Sequence, residues 1–231
     1  MILLACATRH ECLSAVNHPA SPPTPRFEPL RIRGRDFLPC MVGIGPVAAA
    51  MSVGAVLERH PEVTGILNLG ICGSFDIART PLGSTCVASA EIWPEYGVRH
   101  FAPAEEEVFS HQMFADLNLD PVNRLDLDPL TQAAAMGMTL HRTWFTGPSL
   151  TVAGVSGDPE RAELLRERHG GLTENMEGFS LALAAKRQGI PFLEIRTVSN
   201  PVGARDKRLW NFRLAVNALQ NILPALTGDS P

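Results

Sequence analysis

The sequence predicts an α/β protein, a three-layer α/β/α sandwich in a single domain over residues 1–231, and three observations carry that reading. Apolar runs of strand length alternate with longer segments of helical periodicity. Polar residues out of keeping with their neighbours fall at the ends of the apolar runs, where ligands sit in such sheets. With 231 residues and 45% hydrophobic side chains, the chain can close a continuous core without a metal or a disulfide.

Residues 2–7 read as the first buried strand. They lack the basic flank of an export signal, and the apolar run stops at Thr8-Arg9-His10-Glu11. A short helix follows over 9–16, then a Pro-rich connection over 19–25. Segments 30–33 and 37–42 pair as a hairpin about Gly34-Arg35. Gly43-Ile44-Gly45-Pro46 leads into an Ala-rich helix over 47–59, with proline near its first turn. Residues 63–69 form a buried strand that ends in a Gly70-Ile71-Cys72-Gly73 turn, and 84–92 form the next strand. The stretch 102–130 is polar and Pro-punctuated, an excursion with a helical turn at most. Strands are expected at 142–146 and 150–155. Asp158-Pro159-Glu160 supplies an N-cap, a first-position proline and a first-turn acid, starting a helix that Gly170-Gly171 ends. After 173–176 come a helix over 177–188 stopped by Gly189, a strand over 192–198 and a terminal helix over 207–225.

Composition narrows the function classes. The formal net charge is −4 and no basic stripe is present, which argues against nucleic acid and against a membrane surface. No apolar run is long enough to cross a bilayer. The five cysteines are odd in number and form no C-x-x-C, as expected of reduced thiols in a cytoplasmic protein. The seven histidines do not cluster with them, so no metal and no cofactor is expected. Neither a P-loop nor a G-x-S-x-G elbow occurs, which leaves a small-molecule substrate on some other chemistry.

Three polar residues stand out. Glu11 lies one turn into the helix after the first strand, where it can point over the carboxyl edge of the sheet; as a lone glutamate its ordinary reading is solvated surface. Glu177 opens an apolar helix, where the macrodipole favours its charge. It is either an ordinary first-turn acid or a carboxylate facing a cleft. Asn200 closes an apolar strand before Pro201, as a turn former or as a site residue.

Taken together, Ala7-Thr-Arg-His-Glu11, Val42-Gly-Ile-Gly-Pro-Val-Ala-Ala-Ala50, Asn68-Leu-Gly-Ile-Cys-Gly73, Glu174-Asn-Met-Glu-Gly178 and Ile195-Arg-Thr-Val-Ser-Asn200 resemble the nucleoside phosphorylase/nucleosidase superfamily. The tail from Ser199 to Trp210 resembles its futalosine hydrolase group. The resemblance implies a mixed, partly barrel-like central sheet, N-glycosidic hydrolysis of a 6-oxopurine nucleoside in menaquinone biosynthesis, and a homo-oligomer. It implies that Glu11 activates the water and that Asn200 reads the purine. It places Glu177, Met176 and Asn175 at the sugar, and Cys72, Gly73, Leu150, Thr151 and Val152 around the base. Arg196 would help orient the water, Arg205 or Arg208 would take a 5′ carboxylate, and Arg9 would point outward. Ile92-Trp93-Pro94 would serve an interface or the core. Asn in place of an acid at position 200 favours a 6-oxo base, since an amide both donates and accepts. A methylthioadenosine or S-adenosylhomocysteine nucleosidase is the alternative. A purine nucleoside phosphorylase fits less well, because Glu11 would occupy the phosphate space. A nucleoside-binding module without activity would have no reason to keep both acids.

Overall fold

The structure is a computed structural model that describes residues 1–16, 28–99, 108–109 and 123–228. The Pro-rich connection at 19–25 and most of the 102–130 excursion lie outside the described residues.

β1 (Ile2–Cys6) is buried along its whole length because its alternate side chains feed two different cores. Ile2, Leu4 and Cys6 join one apolar cluster, and Leu3 and Ala5 the other. α1 (Arg9–Val16) follows, then the hairpin of β2 (Leu30–Ile32) and β3 (Arg35–Met41). α2 (Pro46–Arg59) begins at the proline, and β4 (Gly65–Ser74) runs ten residues. β5 (Thr85–Ile92) precedes the two-residue β6 (Val98–Arg99) and β7 (Val108–Phe109) and the short edge strand β8 (Arg124–Asp126). The remaining elements are α3 (Pro129–Ala135), β9 (Phe145–Thr151), α4 (Pro159–His169), β10 (Thr173–Asn175), α5 (Gly178–Gln188), β11 (Phe192–Pro201), α6 (Phe212–Leu219) and α7 (Ile222–Thr227).

The main sheet runs β10-β9-β5-β11-β4-β1-β3-β2. Its pairings are parallel except at β5–β11 and β2–β3 on that path and at β8 on β5. β10 pairs with β9 and also, antiparallel, with β4, so β4, β11, β5, β9 and β10 close into a ring. The rest of the sheet stays open, which is the mixed, partly closed sheet expected. α2 and α5 cover one face through Ala49, Val53, Phe179 and Leu181. α1, α3, α6 and α7 cover the other through Cys12, Ala133, Leu219 and Leu223.

Four local expectations change. The Gly70–Gly73 segment is not a turn; it is the second half of β4, paired with β11 and β10. A Cβ on Gly70 would lie 2.5 Å from Arg196 Nη1 and 2.9 Å from Glu11 Oε1, so glycine here admits two charged side chains against a strand. The strands expected at 142–146 and 150–155 are replaced by one, β9, which spans Phe145–Thr151. A register shift between Ala88 and Ala90 on β5 lets Pro148 sit inside it. Asp128 caps α3, accepting the Thr131 N–H at 3.1 Å, within a stretch expected to be irregular. The terminal helix is three pieces, a 3₁₀ turn (Lys207–Leu209), α6 and α7. Asn211 starts α6 by accepting the Leu214 N–H at 3.0 Å, and Pro224 has no N–H with which to continue the ladder across the break. Trp93 stacks on Tyr96 at 4.5 Å and packs against the α2/α5 core, so the Ile92-Trp93-Pro94 stretch is core.

Candidate active site

A cavity of about 670 Å³ opens beyond the carboxyl ends of β1, β4 and β11. Its lining includes Glu11, Met176, Glu177 and Asn200, together with Ile71, Cys72 and Gly73 from the end of β4.

Glu11 is buried, with 5% of its surface exposed. β1 ends where Thr8 turns the chain into α1, and the Glu11 carboxylate folds back over that turn. Its Oε2 accepts the Thr8 N–H at 2.9 Å and the Thr8 hydroxyl at 2.7 Å, and its Oε1 accepts the Ile71 N–H at 3.0 Å. Three donors from two elements hold the carboxylate in one orientation against the cavity.

Glu177 occupies the N-cap position of α5 but does not cap it. Asn175 does, its Oδ1 accepting the Glu177 and Gly178 N–H groups, each at 2.8 Å. The Glu177 carboxylate turns instead to α2, where its Oε1 accepts the Gly45 N–H at 3.1 Å. Gly45 holds a φ of 93°, a conformation that side chains rarely adopt, and this aims its N–H across the cavity floor. The macrodipole therefore favours Glu177, but the helix is α2. Its Oε2 lies 3.3 Å from Arg196 Nη1. Burial pushes the Glu177 carboxyl above the ordinary range, and the Arg196 charge and the Gly45 hydrogen bond oppose that rise.

Beneath this floor the ring of strands is filled with polar side chains. Arg196 Nη2 donates to Glu194 at 2.9 Å, and Asn68 donates to Glu194 at 2.5 Å. Ser149 and the Asn175 amide each donate to the other Glu194 oxygen at 2.9 Å. Thr151 donates to Glu91 at 3.2 Å and accepts the Phe179 N–H at 2.8 Å. Burial would lower the Arg196 pKa, but the Glu194 and Glu177 carboxylates hold it above its usual value. Burial, then the Glu194 charge, drives the Glu91 carboxyl well above its ordinary range. A single guanidinium, bonded to Glu194 and Glu177, offsets part of the acid charge of this interior.

Asn200 reaches the cavity through a bulge. β11 pairs Val198 with Cys72 and Asn200 with Gly73, leaving Ser199 as the extra residue that re-aims the next side chain. The Ser199 hydroxyl contacts the Cys72 carbonyl at 3.0 Å and donates to Asn200 Oδ1 at 2.7 Å, while Asn200 Nδ2 donates to the Pro201 carbonyl at 3.0 Å. The second Nδ2 hydrogen and a lone pair of Oδ1 are left for a ligand.

The profile of the family described as "Phosphorylase superfamily" matches residues 3–227. The chain belongs to the phosphorylase superfamily. It is 37% identical to the futalosine hydrolase of Streptomyces coelicolor over 84% of this chain and 78% of that protein. It is 32% identical to the futalosine hydrolase of Thermus thermophilus over 86% and 84% of the two chains. Among solved structures it resembles the futalosine hydrolase of Helicobacter pylori with a TM-score of 0.69 at 16% identity, over 97% and 95% of the chains. The 5′-methylthioadenosine/S-adenosylhomocysteine nucleosidase of Streptococcus pneumoniae superposes with a TM-score of 0.70 at 19% identity, over 97% and 95%. At those identities the structural likeness speaks for the fold.

Within this phosphorylase superfamily member, not every expected residue reaches the cavity. Leu150, Thr151 and Val152 are fully buried behind its wall; Leu150 and Val152 sit in an apolar cluster. Arg196 lies under the floor, held by Glu177 and Glu194. Asn175 borders the cavity, but its amide is taken up by the α5 cap, Ser149 and Glu194. Arg9 is exposed, as expected. Arg208 is bound to Asp206 by three hydrogen bonds between 2.7 and 3.0 Å and does not line the cavity. The α6 side of the cavity comes from residues the sequence reading passed over, Phe212, Arg213 and Val216, with Trp210 from the quoted tail ahead of them. The exposed Phe212 and Arg213 ahead of the buried Ala215 and Val216 were the available signal.

Proposed function

We propose that the protein hydrolyses the N-glycosidic bond of futalosine, releasing hypoxanthine, with water as the nucleophile. The observation that carries this reading is the placement of Glu11, Glu177 and Asn200 on one cavity. The two curated relatives named futalosine hydrolase, at 37% and 32% identity over most of the chain, supply the substrate.

In this reading Glu177 accepts hydrogen bonds from the ribose hydroxyls, and Met176 packs on the sugar. Glu11 holds the attacking water and takes its proton as the bond to the anomeric carbon forms. The departing purine gathers negative charge, which Asn200 meets with its free N–H, and solvent water supplies the proton that completes hypoxanthine, so cleavage relies on positioning and hydrogen bonding. A buried acid at the nucleophile position suits water and repels phosphate. The cations that line the cavity, Arg205 and Arg213, stand exposed in its outer wall.

The same reading sets the enzyme in the cytoplasm, in menaquinone biosynthesis, as a homo-oligomer. Ile44 just before α2, and Val47 and Met51 in its first two turns, are 63%, 69% and 71% exposed, an apolar stripe suited to a second copy. No helix among the described residues is long and apolar enough to cross a membrane. Cleavage of 5′-methylthioadenosine or S-adenosylhomocysteine is the second reading, favoured by the fold of nucleosidases so named. The amide at 200 speaks against it, because its free Nδ2 hydrogen is a donor that a 6-oxo group accepts and a 6-amino group does not.

One incubation tests the proposal. Futalosine, inosine and 5′-methylthioadenosine are supplied with and without phosphate, and the freed base is identified by chromatography. Hypoxanthine from futalosine without phosphate is expected. Adenine as the main product, or strict dependence on phosphate, would overturn the reading.

A further inference from the structure

Three strands bring three cavity residues into one row. β4 pairs Gly73 with Asn200 of β11 on one side and with Glu174 of β10 on the other, and all three line the cavity. Asn200 and Glu174 therefore stand two strand spacings apart, each about 4.8 Å, with a glycine between them. Their side chains share a face. Thr173 and Asn175 point into the ring, bonding to Ser149 and Glu194, so Glu174 alternates to the outer side. A Cβ on Gly73 would point that way too, 3.2 Å from Asn200 Nδ2 and 2.8 Å from Val202 Cγ2. Without that Cβ, a flat ring has room between an amide and a carboxylate.

Glu174 serves neither the sugar grip nor the water, yet it is an acid 6% exposed on the cavity. It is held from behind. Its Oε1 accepts the Ser156 N–H at 3.0 Å and its Oε2 the Ser156 hydroxyl at 2.6 Å. Arg161 donates to that hydroxyl at 3.3 Å and is itself paired with Glu95. Burial raises the Glu174 carboxyl above its ordinary range, and the two Ser156 bonds and the Arg161 charge oppose that rise. Each oxygen keeps a second lone pair, so the ionised group offers the cavity acceptors and no donor.

Purines differ at the atom this acceptor would meet. With the N7 and O6 edge at Asn200, N1 points along the row toward Glu174. A 6-oxopurine carries a hydrogen on N1, and a 6-aminopurine carries a lone pair there. We propose that Glu174 reads the base together with Asn200, its carboxylate accepting the N1–H of a 6-oxopurine and turning away the N1 lone pair of a 6-aminopurine. The proposal rests on the nucleosidase reading above and deepens it by naming a second specificity residue.

Glu174→Gln tests it. The amide oxygen should keep the Ser156 N–H, which leaves the amide nitrogen to offer N1 a donor. Futalosine and its 6-amino counterpart are assayed on one preparation, so any loss of folded protein cancels from the ratio of their kcat/KM values. Wild type should favour the 6-oxo compound by about 10²-fold or more, because the wrong base leaves buried polar groups unmatched. Glu174→Gln should cut that preference by about tenfold or more, through a gain in 6-amino use. Glu174→Ala, with neither donor nor acceptor, should lose 6-oxo use without that gain. Calorimetry of hypoxanthine and adenine on the same proteins should give the same order of preference without turnover. An unmoved ratio in Glu174→Gln would overturn the role of Glu174 and leave the nucleosidase reading standing. Release of no base from either compound, with hypoxanthine held over adenine in wild type and not in Glu174→Gln, would sink the nucleosidase reading and leave the base contact.

Discussion

The Glu177 carboxylate accepts the Gly45 N–H at 3.1 Å, joining the start of α5 to the start of α2 across the cavity floor. That bond depends on the Gly45 φ of 93°. No atom lies within 4 Å of where a Cβ would stand, so a substitution meets backbone strain and not a clash. Gly45→Ala should lose roughly 1 kcal/mol of stability in urea denaturation. Because the sugar grip loosens, KM should rise by a larger factor than kcat falls. A variant with wild-type KM would show that Glu177 does not need this amide.

Glu11 is fixed by Thr8 and Ile71 before any substrate arrives. Glu11→Gln keeps the size and most of the hydrogen bonding but removes the proton acceptor. Turnover should fall by about 10²–10⁴, the usual contribution of a general base. Equilibrium binding of intact substrate should change little. Single-turnover assays with calorimetric binding separate the two, and near-normal turnover would remove Glu11 from its proposed role.

At Asn200 the expected change is in preference rather than rate alone. Asn200→Asp replaces a donor with an acceptor next to the base. The ratio of 6-amino to 6-oxo substrate use should rise by at least about tenfold. Competition between matched adenine and hypoxanthine nucleosides measures it directly. An unmoved ratio would mean that base choice lies elsewhere in the cavity.

Glu91, Glu174 and Glu177 all have carboxyl pKa values raised by burial. Above the ordinary carboxylate range and below its own raised value, each binds more protons folded than unfolded. Stability is therefore full at the acid end of that window and declines as pH rises through it. Glu91, raised furthest of the three by burial and the neighbouring Glu194 charge, should dominate. Glu91→Gln, a neutral isostere, should flatten the decline in urea midpoints toward high pH. An equally steep decline in the variant would show that Glu91 is not the proton holder.

Much of this architecture was legible in the residues. The continuous apolar run of β1, the Asp158-Pro159 start of α4 and the Gly189 end of α5 are local devices, and local physics settles them. Asn200 was legible because a polar residue closes an apolar strand. Gly70 and Gly73 were misread because glycine serves a turn and a close approach equally well, and only the positions of Arg196 and Asn200 decide between them. The ring closure was hidden in β10, a strand of three residues too short for any periodicity. Leu150, Thr151 and Val152 were placed at the base by resemblance, yet the end of β9 and the residue after it carry them into the interior. Arg213 was missed because a lone arginine on a surface helix looks like solvated charge until the cavity beside it is seen.

β10 bonds to strands on both sides and runs almost directly into Glu177. A hinge cannot be installed there, nor a residue inserted, without opening the ring and scattering its polar filling. The half of the molecule that grips the sugar is thus frozen by its own architecture. Drift toward new substrates is easiest at Asn200 itself and in residues 204–214, most of them exposed and none of them in a sheet pairing.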